Sequence, residues 1–245
     1  MLRVIIVGSK GRMGQALVRL THEDSDLQLA GEIDAGDDIE PLLAQADTIV
    51  EFAHHSVTVP LLEKAVKAKK PVVIGTTGHT AEERAAIHAA GVHLPIVYAP
   101  NYSVGVNVLF HLVQKTAQIL GPHFDQEVFE MHHRLKVDAP SGTARRLGEI
   151  LAEVKGRDYD ELIQNGRSGE PGKRTKHEIG MHAFRGGDVV GDHTVFFAGI
   201  GERIELTHRA SSRDTFASGA LRAAKWLATQ GDGVFTMQDV LNLRD

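Results

Sequence analysis

The chain opens with Met1–Gly8, MLRVIIVG, a short β-branched apolar run halted by glycine, and this start restricts its fold more than any other stretch. A run with no polar alternation suits a strand covered on both faces, as in a parallel sheet. Helical apolar spacing follows over Gly11–Leu20, at Met13, Ala16, Leu17 and Leu20. Further strands are expected at Leu27–Asp34, Asp47–Phe52, Pro71–Gly78 and Leu94–Asn101, separated by helices at about Val57–Lys69 and Ala81–Ala90. Strands alternating with helices through the first hundred residues predict a parallel, doubly wound sheet.

The rhythm changes after Asn101. Val104–Leu120 reads as a long helix, Gln126–His133 as a half-exposed strand and Ser141–Val154 as a helix. Asn165–Lys176 is rich in glycine and charge and reads as a loop. HEIGMHAFR, GDHTVFFAG and ERIELTHRA, between His177 and Ala210, are strand-like with no helix between them, so they predict an open antiparallel or mixed sheet. Helices at Thr215–Ala228 and Met237–Leu243 close the chain. We expect two domains, one of residues 1–103 and 213–245 and one of residues 104–212, with the last helices returning to the first.

The 245 residues supply ample core for either part. A hydrophobic content of 42% and a charged content of 24% argue against disorder, and a net charge of −5 argues against a nucleic-acid partner. Cysteine is absent, which excludes disulfides and thiolate metal sites. The apolar run Leu2–Val7 is too short for a signal h-region, and no segment approaches the ~20 apolar residues of a membrane span. The expectation is a soluble cytoplasmic protein.

Gly8, Gly11 and Gly14 lie between the first strand and the first helix, spaced G-x-x-G-x-x-G, with Lys10 where the strict dinucleotide fingerprint has glycine. Such glycines permit a tight turn and let the backbone approach a pyrophosphate at the helix N-terminus; otherwise they serve only close helix–sheet packing. Asp34 follows Gly14 by twenty residues, where an acid accepts hydrogen bonds from an adenosine ribose. Asp34 would repel a 2′-phosphate and Ala35 offers no compensating arginine, although Lys10 and Arg12 could reach one. Use of both NADH and NADPH, with NADH preferred, is therefore expected. GTTG (Gly75–Gly78) and APNYS (Ala99–Ser103) fall at the C-terminal ends of later strands, where open α/β sheets bind ligands and where ordinary turns also occur.

EMHHRLKVDAPSGTA, Glu130–Ala144, crowds His132, His133, Arg134 and Lys136 into five positions just ahead of a helix start at Ser141, Gly142 and Thr143. Cations beside a helix N-terminus favour a small molecule carrying carboxylates, and histidine and lysine can transfer protons. On a strand, Glu130 and His132 share one face and Met131 and His133 the other. The same residues also suit a solvated basic turn before a helix capped by Ser141. No histidine spacing, including that of the His54–His55 pair, resembles a zinc site, so no metal is expected.

EMHHRLKVDAPSGTA closely resembles the signature of the 4-hydroxy-tetrahydrodipicolinate reductase (dihydrodipicolinate reductase) family of diaminopimelate and lysine biosynthesis. VGSKGRMG, GTTG, APNYS and the segment Arg185–Arg213 are similar to other parts of that family, so the likeness spans the chain. The resemblance implies a Rossmann-type parallel-sheet domain plus an α+β substrate and oligomerisation domain with an open mixed sheet. It implies reduction of a cyclic dicarboxylate by NADH or NADPH, with loss of water. His132 would be the proton donor and Lys136 a second one, while His133, Gly142 and Thr143 would contact substrate carboxylates. Gly8, Ser9, Lys10, Gly11, Arg12, Met13, Asp34, Gly75, Thr76, Thr77, Ala99, Pro100, Asn101 and Tyr102 match cofactor-binding positions. Some family members have arginine where this chain has Ala35, a departure that bears on NADPH use. The resemblance further implies a homotetramer built through the substrate-domain sheets and hinge closure between domains.

Two other readings are a non-catalytic NAD(P)H-binding regulator and a dehydrogenase of another small dicarboxylate such as aspartate. A semialdehyde dehydrogenase would need a cysteine nucleophile, which is missing.

Overall fold

The computed structural model describes residues 1–243; positions 244 and 245 of the expected first domain lie outside the described residues. The chain divides into two compact units, Met1–Val104 with the stretch from Arg213 onward, and Gly105–Ser212.

The first unit runs β1 (Leu2–Val7), α1 (Arg12–Glu23), β2 (Leu27–Ile33), α2 (Glu40–Leu43), β3 (Thr48–Glu51), α3 (His55–Ala68), β4 (Val72–Ile74), α4 (Ala81–Ala90) and β5 (Pro95–Tyr98). Its strands pair in the order β11-β5-β4-β3-β1-β2, all parallel, where β11 (Gly233–Phe235) comes from the C-terminal stretch. Neighbouring residues of β1 point to opposite layers, and both layers are dry. Val4 and Ile6 pack with Leu17 of α1 and with Ala217, Ala220 and Leu221 of α8 (Asp214–Leu227). Ile5 and Val7 pack with Leu61 and Leu62 of α3 and Ile87 of α4. Val4, Ile5 and Ile6 are fully buried, which is why the strand reads as an unbroken apolar run. Each such side chain contributes roughly 1.5–3 kcal/mol by leaving water.

The order reverses at β1, which lies between β2 and β3, so the C-terminal ends of β1 and β3 flank the topological switch point of the sheet. The strand expected over Pro71–Gly78 stops at Ile74, and that over Leu94–Asn101 stops at Tyr98; the GTTG and APNYS turns leave the sheet there. The expected helix at Met237–Leu243 is shorter, α9 (Met237–Val240), begun by a reciprocal cap between Thr236 and Asp239.

The second unit comprises α5 (Val104–Leu120), β6 (Asp125–His132), α6 (Gly142–Lys155), α7 (Tyr159–Leu162), β7 (Ile163–Asn165), β8 (Ile179–Arg185), β9 (Gly191–Ala198) and β10 (Arg203–Ala210). Its sheet is mixed, in the order β10-β9-β6-β8-β7: β6 pairs parallel with β8 and antiparallel with β9. Strict alternation on β6 and β9 buries Val128, Val195 and Phe197 with Leu147 and Leu151 of α6. The opposite face carries Phe129, which stacks on His182 and contacts Phe184 and Phe196. No helix among the described residues is long and apolar enough to cross a membrane.

Candidate active site

In the first unit, a cleft of about 720 Å³ opens at the switch point, lined among others by Gly8, Gly11, Asp34, Ala35, Phe52 and His54. Gly8 has φ +82°, and a Cβ there would lie 2.2 Å from the carbonyl oxygen of Phe52. Only glycine fits, because the turn must pass directly over the end of β3. Gly8 and Ser9 donate their amides to the Ile33 carbonyl, at 2.8 and 3.1 Å, which ties the loop to β2. Asp34 completes the tie: its carboxylate accepts the amides of Lys10 and Ala35, each at 2.8 Å, and these two bonds hold its pKa below the usual carboxylate range. No side chain caps α1 at Gly11, and its first turn holds no acid, so the helix start suits an anion.

The expected cofactor residues divide by exposure. Lys10, Gly11, Arg12, Thr77 and Pro100 are exposed, and Gly8, Met13, Asp34, Gly75 and Asn101 are half-buried. Ser9, Thr76, Ala99 and Tyr102 are buried. The Tyr102 hydroxyl donates inward, to the carbonyls of Ile74 (2.8 Å) and Val97 (3.0 Å), so this side chain braces the strand ends and leaves only its backbone for a ligand.

In the second unit, the buried face of β6 carries the chemistry. His132 Nδ1 lies 2.6 Å from Oε2 of Glu130, two residues back on the same strand. Glu130 is fully buried and also accepts both terminal nitrogens of Arg185, each at 2.8 Å, and the amide of Ser141 at 3.1 Å. Burial alone would raise its pKa, but the hydrogen bonds from His132, Arg185 and Ser141 prevail and hold it at about 2. With Glu130 ionised, Nδ1 of His132 carries a proton and donates it, which leaves Nε2 as the exchanging nitrogen. A Cβ at residue 191 would sit 2.9 Å from that Nε2, so Gly191 provides its room.

Ser141 ties this dyad to α6. Its hydroxyl accepts the Ala144 amide at 3.2 Å and meets Nε2 of His193 at 3.1 Å. Burial, and then the neighbouring His132, push the His193 pKa down to about 3, so this ring is neutral and stands edge-on to His132. Gly142 and Thr143 head α6, whose first turn has no acidic residue. Lys136 forms a 2.8 Å ion pair with Asp138, whose carbonyl accepts Arg185 at 2.7 Å. His133 is half-buried on the loop that begins after β6.

His132, Ser141 and the α6 start are thus joined through one carboxylate. Arg185, His193 and Gly191 were not among the residues expected from sequence; they reach the cluster through strand pairing at separations such as 55 residues for Arg185–Glu130. The shared face of Glu130 and His132 was the one available signal. Such a set can orient an imidazole for proton transfer next to an anion-binding helix start. Among the described residues, no group of three His, Asp or Glu side chains is arranged to hold a metal ion.

Comparison with known proteins agrees over the whole length. A family model described as Dihydrodipicolinate reductase, N-terminus, matches residues 2–102, and one described as Dihydrodipicolinate reductase, C-terminus, matches residues 105–241. The 4-hydroxy-tetrahydrodipicolinate reductase of Akkermansia muciniphila is 54% identical over 243 residues, covering 99% of each chain. The protein of the same name from Syntrophotalea carbinolica is 45% identical over 267 aligned positions, covering 100% of each. Among solved structures, a dipicolinate-bound dihydrodipicolinate reductase from Paenisporosarcina superposes with a TM-score of 0.80 at 21% identity over 98% of each chain. A probable dehydrogenase from Thermotoga maritima gives 0.65 at 10% identity, over 99% of this chain and 93% of that one. At those identities the structural likeness is one of fold.

Proposed function

The chain belongs to the dihydrodipicolinate reductase family of NAD(P)H-dependent oxidoreductases, and on that premise we propose that it reduces 4-hydroxy-tetrahydrodipicolinate to tetrahydrodipicolinate in diaminopimelate and lysine biosynthesis. The observation that carries the reading is the Glu130-held His132 joined through Ser141 to the start of α6. The net change is one hydride and one proton added to the ring and one water lost. When bound, the reduced nicotinamide cofactor supplies the hydride.

The protein's own groups do the rest. The Gly8–Met13 loop and the uncapped start of α1 receive the pyrophosphate, and Asp34 has lone pairs left for ribose hydroxyls beside its two loop amides. Gly75, Thr76, Thr77, Ala99, Pro100, Asn101 and Tyr102 form the two further turns that border the cofactor. NADH and NADPH both serve, with NADH preferred, because the Asp34 carboxylate disfavours a 2′-phosphate and Ala35 adds no cation.

The ring carboxylates are held by His133 and by the Gly142 and Thr143 end of α6. His132 gives the proton from Nε2, while Glu130 stabilises the charged imidazole through Nδ1. Lys136, released from Asp138 by a dianionic ligand, places its ammonium where electron density accumulates during reduction and serves as second donor.

The enzyme works in the cytoplasm as a homotetramer, assembled through the aromatic face of the second unit's sheet. The Phe129, His182, Phe184 and Phe196 cluster supports an interface on that face, since Phe184 is 49% exposed there. The test is oxidation of NADH in the presence of the condensation product of pyruvate and aspartate semialdehyde. Turnover supports the assignment. Turnover only with another dicarboxylate, or NADH binding with no turnover, overturns it.

A further inference from the structure

The first unit contains a second buried carboxylic acid that the mechanism above leaves unused. Glu51 is the last residue of β3, fully buried, at the edge of the sheet where the cofactor loops gather. Among the described residues no cation pairs with it. Its Oε1 accepts the Thr76 hydroxyl, and also the Ala53 amide at 3.1 Å. The Ala53 amide also reaches the Thr76 hydroxyl oxygen, at 2.8 Å. These three bonds close a knot between the turn after β4 and the turn after β3.

From the other carboxyl oxygen a chain runs onward. The Thr58 hydroxyl is 3.4 Å from Oε2 and 2.8 Å from Nε2 of His79, and Nδ1 of His79 is 3.2 Å from the Tyr98 hydroxyl. Tyr98 ends β5, immediately before Ala99. The chain therefore begins at one of the two later cofactor turns and finishes at the other.

A threonine hydroxyl has one proton, so the direction of the chain depends on Glu51. With Glu51 protonated, the acid donates to Thr58, Thr58 donates to His79 Nε2, and His79 Nδ1 donates to Tyr98. With Glu51 ionised, Thr58 donates to the carboxylate, His79 Nε2 donates to Thr58, and the Tyr98 hydroxyl turns to donate to Nδ1. Burial lowers the His79 pKa, which favours the neutral ring that both arrangements use. The other titratable or charged groups around the chain are Tyr102, buried beneath the same turns; Glu83, Arg84 and His55 flank His79, with Arg84 donating to the His79 carbonyl and His55 paired to Glu83.

We infer that Glu51 is the positioning residue of both later cofactor turns, and that its protonated form holds them in the arrangement that binds the dinucleotide. The inference rests on the reading that Gly75–Thr77 and Ala99–Tyr102 contact the cofactor. Burial puts the Glu51 pKa at about 7, against the hydrogen bonds from Thr76, Ala53 and Thr58, so the switch falls in the neutral range. Ionisation leaves an unpaired anion under the binding surface of a ligand that is itself anionic, and binding weakens.

The experiment is NADH affinity by nucleotide fluorescence, without substrate, from about pH 6 to about pH 8.5, for four proteins. Wild type is expected to lose ~3–10-fold in affinity across that range, since a site coupled to one titration changes by up to tenfold per pH step beyond it. Glu51→Gln, which mimics the protonated acid, is expected to bind like low-pH wild type throughout. Glu51→Leu is expected to bind weakly at every pH. Wild-type pH dependence retained in Glu51→Gln, or an unvarying wild type, overturns the proposal. Thr77→Val separates the two levels, because Thr77 is exposed and lies outside the Glu51 hydrogen bonds. If Thr77→Val binds NADH as wild type does, the cofactor reading of the turn fails and this inference with it. If Thr77→Val weakens binding while Glu51→Gln keeps the wild-type pH dependence, the reading stands and the inference alone fails.

Discussion

Oε2 of Glu130 stands 2.6 Å from Nδ1 of His132, and the same carboxylate receives the amide of Ser141 and both arms of Arg185. One buried anion thus fixes the orientation of the imidazole and the position of the helix start that follows it. Replacing it with a neutral amide keeps the shape but loses the charge. Glu130→Gln is expected to lower kcat by ~10²-fold, about 2.7 kcal/mol of barrier, with little change in NADH affinity. Steady-state kinetics together with a binding titration check this; equal losses in kcat and in NADH binding would contradict it.

The same carboxylate governs acid stability. Its folded pKa of about 2 lies below the unfolded value of 4.5, so it contributes stability that is fully present above about pH 4.5 and lost as pH falls toward 2. The contribution is roughly 3 kcal/mol by the linkage relation, at 1.36 kcal/mol per pH unit. Urea melts at intervals between about pH 5 and pH 2.5 are expected to show wild type losing that increment and Glu130→Gln losing less.

Glu51 has the opposite sign. Its folded pKa of about 7 lies above 4.5, so the folded state binds the extra proton and stability declines as pH rises from about 4.5 to about 7. Glu51→Gln removes that penalty. Its melting temperature is expected to exceed the wild-type value at pH 8 and to match it near pH 5; an equal difference at both would contradict the assignment.

Gly191 tests the room left for His132. A methyl group there would meet Nε2 at 2.9 Å and push the ring off the Glu130 carboxylate or away from the ligand. Gly191→Ala is expected to reduce kcat ~10-fold or more while leaving NADH binding intact. Gly8→Ala is the counterpart in the first unit. With φ +82° and a Cβ 2.2 Å from the Phe52 carbonyl oxygen, it is expected to abolish NADH binding and lower the melting temperature.

Much of this architecture was legible beforehand because the forces involved are local or periodic. Val4–Val7 had to be covered on two faces, α4 starts on a reciprocal Thr80–Glu83 cap and ends at Gly91, and α5 is a long apolar-periodic run that Gly121-Pro122 follows, so Ala81–Ala90 and Val104–Leu120 coincide with expectation. The three-residue strands β7 and β11 went unseen because so short a segment is defined by the strand it docks on, β8 or β5, and not by its own pattern. Within the candidate site, the crowding of charge around His132 marked the segment. The Glu130 carboxylate was visible only as a strand-face neighbour, and Arg185, Gly191 and His193 arrive from β8 and β9, whose register no local signal encodes. Glu51 and Thr76 likewise read as ordinary strand-end residues until the sheet brings their turns together.

The most direct measurement is turnover by His132→Gln with the pyruvate–aspartate semialdehyde condensation product, beside its NADH dissociation constant. The account predicts a kcat lower by ~10²–10⁴-fold with NADH affinity within about twofold of wild type. Wild-type turnover in that variant would contradict it.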